Sequence, residues 1–198
     1  MKGLPFNAEM ALAVLERRKS VTRRPMKDQP FFDAQYFGYN PFTQEHMIGE
    51  EHFKQGFKAP YYPGEVVYMQ EPWGVEPGRY IQPSIPHGYG GRFEDEVFYK
   101  ADDPNLPGML WRSPVTMPQW ASRLHLRLTV RPERLQDVTE EEAKLEGVKL
   151  LSHDGRMIYT KDYKTAFRVL WDSIYGKKYP WSSNPYIWRY GLEEVWRR

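Results

Sequence analysis

A strictly alternating segment near the middle of the chain constrains the fold more than any other feature. Between Ser122 and Arg131, leucine or valine occupies every second position, and Arg, His or Thr fills the positions between them. A period of two buries one face of a β-strand and leaves the other face in water.

The pattern of the remaining segments predicts an α+β protein. Strands are predicted at about 20–24, 64–70, 96–102, 122–131 and 185–196, and helices at 7–18, 139–147 and 162–175. These strands are too short and too widely spaced for a doubly wound parallel sheet, which favours a small mixed or antiparallel barrel with peripheral helices. We expect a single domain over 1–198 that two long loops interrupt, at about 28–62 and 74–95.

Charge and composition exclude several classes of protein. The formal net charge is only +2, from 28 basic and 26 acidic residues, so any contact with nucleic acid needs a local basic patch. The chain has no cysteine, which excludes disulfides, thiolate zinc sites and a cysteine nucleophile. No segment resembles a signal peptide or a membrane span, and we expect a cytoplasmic protein without a membrane partner.

The histidine-containing segment EHMIGEEH at 45–52 does not predict a metal site. Its two histidines lack the i, i+4 spacing of a helical zinc site, and a solvated loop is the preferred interpretation. The sequence also lacks the Gly-x-Ser-x-Gly turn of a serine hydrolase. We therefore expect neither a metal nor another cofactor.

The segment RRKSVTRRP at 17–25 carries five basic side chains around a serine and a threonine. A threonine hydroxyl becomes a nucleophile only when a base accepts its proton. Lys19 stands three positions before Thr22, and both the neighbouring arginines and burial would lower the pKa of Lys19. From the spacing alone, a basic helix end in water is the preferred interpretation, and a Lys–Thr catalytic pair is the alternative.

Four blocks of the sequence together resemble ASCH-domain proteins of the phage or prophage type. The blocks are VLERRKSVTRRP, PGEVVYMQEPW (63–73), MPQWASRLHLRLTVRPERLQDVTEEEAKLEGV (117–148), and the pair LWDSIYG and NPYIWRYGLEEV near the end of the chain. They resemble the basic run after the family's first helix, the strand that follows, the Met-Pro-x-Trp-Ala-Ser-Arg strand with its helix, and the closing helix and strand. The resemblance is weak at 28–62 and 74–95, which are interpreted as insertions. It implies a PUA-like β-barrel.

The resemblance also implies a chemistry. Small bacterial ASCH proteins similar to this chain are amidohydrolases that remove the acyl group from N4-acetylcytidine, using a Lys, a Thr and a Glu without metal. The corresponding residues are Lys19, Thr22 and Glu146. The implied substrate is a modified cytosine nucleoside or base, and a base within RNA or DNA is an alternative. Ser20 stands where the family more often has Thr. The chain is also larger than the compact amidohydrolases, so a larger or quite different substrate is an alternative to theirs.

Candidate substrate-binding residues are cations for the developing oxyanion or the substrate and tryptophans that can stack a base. They are Arg18, Arg23, Arg24, Trp73, Trp111, Trp120 and Arg123. The main alternative function is a non-catalytic RNA-binding module of the PUA-like type, in which the basic run holds phosphates. A ribonuclease is a third alternative, which the lack of clustered carboxylates or paired histidines disfavours. The expected location is the cytoplasm of a bacterium or of a phage-infected host cell.

Overall fold

The computed structural model describes residues 1–30, 34–75, 97–150 and 162–197, and the fold is mixed α+β, mostly strands in open sheets. Within these residues there are ten strands: β1 (Lys2–Pro5), β2 (Val21–Pro25), β3 (Gln35–Asn40), β4 (Glu45–Glu50), β5 (Phe53–Phe57), β6 (Val66–Gln70), β7 (Trp73–Val75), β8 (Val97–Tyr99), β9 (Leu124–Arg134) and β10 (Tyr186–Arg197). The α-helices of the same residues are α1 (Ala8–Leu15), α2 (Glu140–Lys144) and α3 (Tyr163–Tyr175). None of these helices is long and apolar enough to cross a membrane.

The described strands form three sheets, and none of the three closes into a barrel. Neighbouring strands of the largest sheet follow the order β1-β6-β9-β10-β2, and the smaller sheets have the orders β3-β4-β5 and β7-β8. Strand β1 runs parallel to β6, whereas β10 runs antiparallel to β2, so the largest sheet is mixed. Strand β9 alternates buried residues with more exposed ones over most of its length, which confirms the predicted half-buried strand.

The chain divides into two compact units. The first unit comprises Met1–Glu16, Val66–Leu126 and Glu194–Arg198, and the second comprises Arg17–Glu65 and Arg127–Glu193. In the first unit, β1 and β6 pair side by side, and β7 pairs with β8. A small core in this unit is formed by Trp73, Val75, Met117 and Ala121.

The second unit holds the antiparallel pair β2–β10, the sheet β3-β4-β5, and helices α2 and α3, which pack together. The β2–β10 register runs from Ile187 opposite Pro25 to Gly191 opposite Val21. Its main apolar cluster consists of Leu135, Val138, Ala143, Phe167, Trp171, Trp181 and Ile187. Because Ile187 of β10 belongs to this cluster, the strand pair packs with one face against the apolar core that α2 and α3 also help to form.

Local signals determine where helices α1 and α2 begin and end. The Asn7 side chain caps the start of α1 by accepting a hydrogen bond from the Met10 N–H at 2.8 Å, which agrees with the predicted helix start at residue 7. Helix α1 ends at Leu15 and not near Arg18 as predicted, because Arg17 adopts a left-handed φ of 59° that a continuing helix cannot contain. Gly147 has a φ of 76° and confirms the predicted stop after α2.

The segment 28–62 was predicted to be a long loop, and over 35–57 that prediction is wrong. It contains the antiparallel strands β3, β4 and β5. Only β4 buries alternate side chains, His46 and Ile48, while β3 and most of β5 are exposed or half-buried, so the sequence shows no periodicity. The loop predicted at 74–95 lies outside the described residues, apart from Gly74 and Val75 in β7.

Candidate active site

Lys19 lies between α1 and β2, where the chain is joined to the end of α2. The backbone N–H groups of Ser20 and Val21 both donate to the Leu145 carbonyl, at 2.9 and 3.1 Å. Lys19 itself forms an isolated antiparallel bridge with Glu146. Residues that are 127 positions apart in the sequence are thus held together by the backbone as well as by their side chains.

Lys19 and Glu146 form a buried ion pair. The Lys19 Nζ lies 2.5 Å from Glu146 Oε2 and 3.0 Å from the Glu146 carbonyl oxygen. Only 4% of Lys19 and 2% of Glu146 are exposed, so both members of the pair are buried. Burial lowers the pKa of Lys19, the attraction of Glu146 opposes this, and the charges of Arg23 and Arg24 lower it further.

Arg23 connects Glu146 to two further carboxylates. Its guanidinium donates to Glu146 Oε1 at 3.0 Å, to Glu133 at 2.7 Å and to Glu142 at 2.6 Å. Glu142 also accepts two hydrogen bonds from Arg189, at 2.9 Å each. The bonds from Arg189, with further help from Arg23, hold the pKa of Glu142 down to about 2. The three glutamates therefore join Lys19, Arg23 and Arg189 in one continuous network.

The network leaves Lys19 as the group that can exchange a proton. An arginine stays protonated in proteins, whereas a buried lysine is able to lose its proton. Glu146 is shared between Lys19 and Arg23, so Glu146 keeps a positive partner when Lys19 becomes neutral. A neutral amine has two N–H bonds and one lone pair. Within the described residues both hydrogen bonds of Lys19 go to Glu146, so a Lys19 that loses its proton would keep its lone pair as an acceptor.

Thr22 lies on the opposite face of β2 from Arg23. Side chains alternate along a strand, so Thr22 and Arg24 share one face while Val21 and Arg23 share the other. Thr22 is buried, with 7% of its surface exposed, and it stands opposite Tyr190 of β10. The two Lys19 hydrogen bonds in the described part of the chain do not reach Thr22.

The face of β2–β10 that carries Thr22 is rich in aromatic side chains. Tyr190 packs edge-to-face against Tyr61, with ring centres 5.6 Å apart and planes at 88°. Trp188, two residues earlier in β10, contacts His46 at 5.0 Å between ring centres. These aromatic residues were missed from the sequence. The alternation in YIWRY is a signal that would have placed Trp188 and Tyr190 on one face.

The other predicted binding residues occupy different environments. The Arg18 Nη1 donates to the Gly147 carbonyl at 3.0 Å in the second unit. Trp73, Trp111, Trp120 and Arg123 all belong to the first unit. Trp73 is a core residue with 3% of its surface exposed, whereas Trp120 is 40% exposed. Their roles in binding a substrate stay predictions.

The segment 45–52 was predicted to be a solvated loop, and this is wrong because His46 is fully buried in β4. Burial lowers the pKa of His46 to about 4, so its imidazole is neutral at physiological pH. Over residues 1–30, 34–75, 97–150 and 162–197, no group of three or more His, Asp or Glu side chains is arranged to hold a metal ion.

Comparison of the chain with protein-family models, with curated proteins and with solved structures found no match.

Proposed function

We propose that this protein is an amidohydrolase that removes the acyl group from the exocyclic N4 amine of a modified cytosine nucleoside or base, without a metal. Thr22 is the nucleophile, Lys19 is the base, and Glu146 holds Lys19 in place. The observation that carries the proposal is the buried Lys19–Glu146 pair with Arg23 on the second carboxylate oxygen. Because Arg23 remains a positive partner for Glu146, Lys19 can lose and regain a proton without leaving the buried carboxylate unpaired.

The same contacts argue against a purely phosphate-binding basic run. Lys19 and Arg23 are each 4% exposed, and both are bonded to carboxylates. A cation that binds a phosphate backbone needs access to solvent and no tighter anionic partner. Two of the five basic side chains in the run are therefore unsuited to nucleic-acid contact, which favours the catalytic proposal over the RNA-binding alternative.

The reaction runs in two stages. Thr22 Oγ1 attacks the acyl carbonyl carbon while its proton passes to neutral Lys19, and the carbonyl π electrons move onto the oxygen. The carbon–nitrogen bond then breaks, and protonated Lys19 gives the proton to the leaving N4 amine. Water then attacks the Thr22 ester and passes a proton to Lys19; the ester C–O bond breaks, the carboxylic acid leaves, and Lys19 returns the proton to Thr22 Oγ1. Hydrogen bonds between catalytic groups are often long in a free enzyme and shorten when substrate binds.

We also propose that the fold is a single PUA-like ASCH domain over 1–198, in which 28–62 and 74–95 are insertions. The mixed five-stranded sheet, the basic run between α1 and β2, and the Thr139-capped helix before Glu146 support this proposal. A protein of this type would act in the cytoplasm of a bacterium or of a phage-infected cell. The substrate base could then be free, part of a nucleoside, or carried in RNA or DNA.

The test is turnover of N4-acetylcytidine, N4-acetyldeoxycytidine and N4-acetylcytosine, with the deacetylated product measured by chromatography and mass spectrometry. The wild type is expected to release product from at least one of the three, and Thr22→Val is expected to release none. Thr22→Ser is the matched control, because it keeps a hydroxyl and should keep part of the activity. Absence of wild-type turnover on all three compounds, or full activity of Thr22→Val, would contradict the proposal.

A further inference from the structure

The Tyr190 hydroxyl is a buried polar group that the chemistry described so far does not use. Tyr190 has 0% of its surface exposed, and within the described residues its hydroxyl has no hydrogen-bond partner. Buried hydroxyls in native proteins are nearly always paired, and leaving one unpaired is unfavourable. An unpaired buried hydroxyl of this kind is a candidate for pairing with a bound ligand.

The strand register places Tyr190 beside the proposed nucleophile. Tyr190 is the cross-strand partner of Thr22 in the antiparallel pair β2–β10. Directly opposed residues of an antiparallel pair point to the same face, with Cβ atoms about 4.5–5.5 Å apart. The ring of Tyr190 is fixed from the side by the edge-to-face contact with Tyr61. Thr22 and the Tyr190 side chain are therefore neighbours on one face of the sheet.

Attack by Thr22 on an amide creates a negative oxygen that needs a donor. From the sequence, Arg23, Arg123 or a backbone N–H near Thr22 was predicted for this role. The Arg23 guanidinium, however, extends from the opposite face of β2 and already donates to three glutamates. Both described hydrogen bonds of Lys19 go to Glu146, and its lone pair serves as the base. The described hydrogen bonds of both groups therefore go to glutamates, and Arg24 is the cation of the run that shares the face of Thr22.

We propose that Tyr190 is a further catalytic residue, whose hydroxyl donates a hydrogen bond to the acyl carbonyl oxygen as it becomes an oxyanion. This inference rests on the proposed amidohydrolase function and extends it to the group that stabilises the transition state. Burial raises the pKa of Tyr190, although the charge of Arg24 opposes this. The hydroxyl therefore stays protonated at physiological pH and remains a donor throughout the reaction.

The experiment compares Tyr190→Phe with the wild type in steady-state hydrolysis of N4-acetylcytidine. Loss of one oxyanion donor typically lowers kcat by about a hundredfold to a thousandfold, and we expect that decrease with KM nearly unchanged. The melting temperature should stay the same or rise, because the substitution removes an unpaired buried hydroxyl. Tyr179→Phe is the matched control, since Tyr179 packs against the core cluster of the second unit, and its kcat should equal that of the wild type.

The outcomes separate the two proposals. A wild type that turns over substrate, with Tyr190→Phe within about threefold of its kcat, would overturn the role of Tyr190 and leave the amidohydrolase proposal intact. A decrease in kcat that is matched in Tyr179→Phe, or that accompanies a lower melting temperature, would also overturn it. A wild type without turnover would overturn both proposals.

Discussion

Each unit of the molecule contains a buried guanidinium–carboxylate contact, and the two contacts differ in chemical capacity. In the first unit, Arg123 binds Glu71 through two parallel hydrogen bonds of 2.9 Å and binds Asp102 at 2.8 Å. In the second unit, Glu146 is divided between Arg23 and Lys19. Glu71 and Glu146 are both buried, with 0% and 2% of their surfaces exposed.

The two contacts differ because Glu146 pairs with a lysine, Lys19, in addition to an arginine. The Arg123 contact contains a guanidinium that keeps its proton, so it stabilises structure and has no base to offer. The Glu146 contact adds an amine whose pKa is lowered by burial. Burial of a charged pair is therefore a poor guide to function by itself. The lysine that shares its carboxylate with an arginine is the feature on which the catalytic proposal rests.

The largest effect is expected from Glu146→Gln. The variant leaves Lys19 and Arg23 buried without their shared anion, and we expect the free energy of unfolding to fall by about 3 kcal/mol. Turnover of N4-acetylcytidine should fall as well, because Lys19 loses the group that holds it. Denaturant unfolding and steady-state kinetics measure the two effects. Glu141→Gln, at an exposed position of α2, is the control and should change neither quantity appreciably.

A smaller effect on stability is expected from Glu142→Gln. The pKa of Glu142 is about 2 in the folded protein against an ordinary value of 4.5. The contribution of Glu142 to the free energy of unfolding is therefore complete above pH 4.5 and is lost as the pH falls towards 2. Because Glu142 is about one-quarter exposed, we expect a loss of about 2 kcal/mol at pH 7. The variant should also lose less stability than the wild type between pH 4.5 and 2. Parallel acid-unfolding curves for the two proteins would contradict this.

The smallest effect is expected from Glu71→Gln in the first unit. Burial raises the pKa of Glu71 although Arg123 opposes it, so the ionised form is already penalised in the folded state. Gln keeps an acceptor for Arg123, and Asp102 still pairs with it. We expect the free energy of unfolding to fall by about 1 kcal/mol, with kcat and KM unchanged. A loss of turnover as large as that of Glu146→Gln would remove the distinction between the two contacts.

Local signals in the sequence predicted those parts of the fold that depend on neighbouring residues. The alternation at Ser122–Arg131 gave β9, and the Thr139 side chain accepts from the Glu142 N–H as a helix cap. The side chain of Glu142, however, reaches Arg23 and Arg189. A capping pattern describes the first turn of a helix and carries no information on such distant partners.

The parts that the sequence did not predict depend on long-range pairing or on weak burial. Strands β3 and β5 bury few side chains, so they have no period that marks them as strands. The contact between Lys19 and Glu146 spans 127 positions, and only the family resemblance suggested it. Tyr190 became a candidate only through its register opposite Thr22. Register is set by tertiary packing and does not follow from spacing along the chain.

The most direct test of the central claim, that Lys19 acts as a base, is the kcat of Lys19→Arg with N4-acetylcytidine. Arginine keeps the positive charge and can still pair with Glu146, but it cannot give up its proton to become an acceptor. We expect folding and ligand binding to be retained while kcat falls by about a hundredfold to ten-thousandfold, the usual effect of removing a general base. A kcat near that of the wild type would contradict the Lys–Thr mechanism and would leave RRKSVTRRP as a structural basic segment.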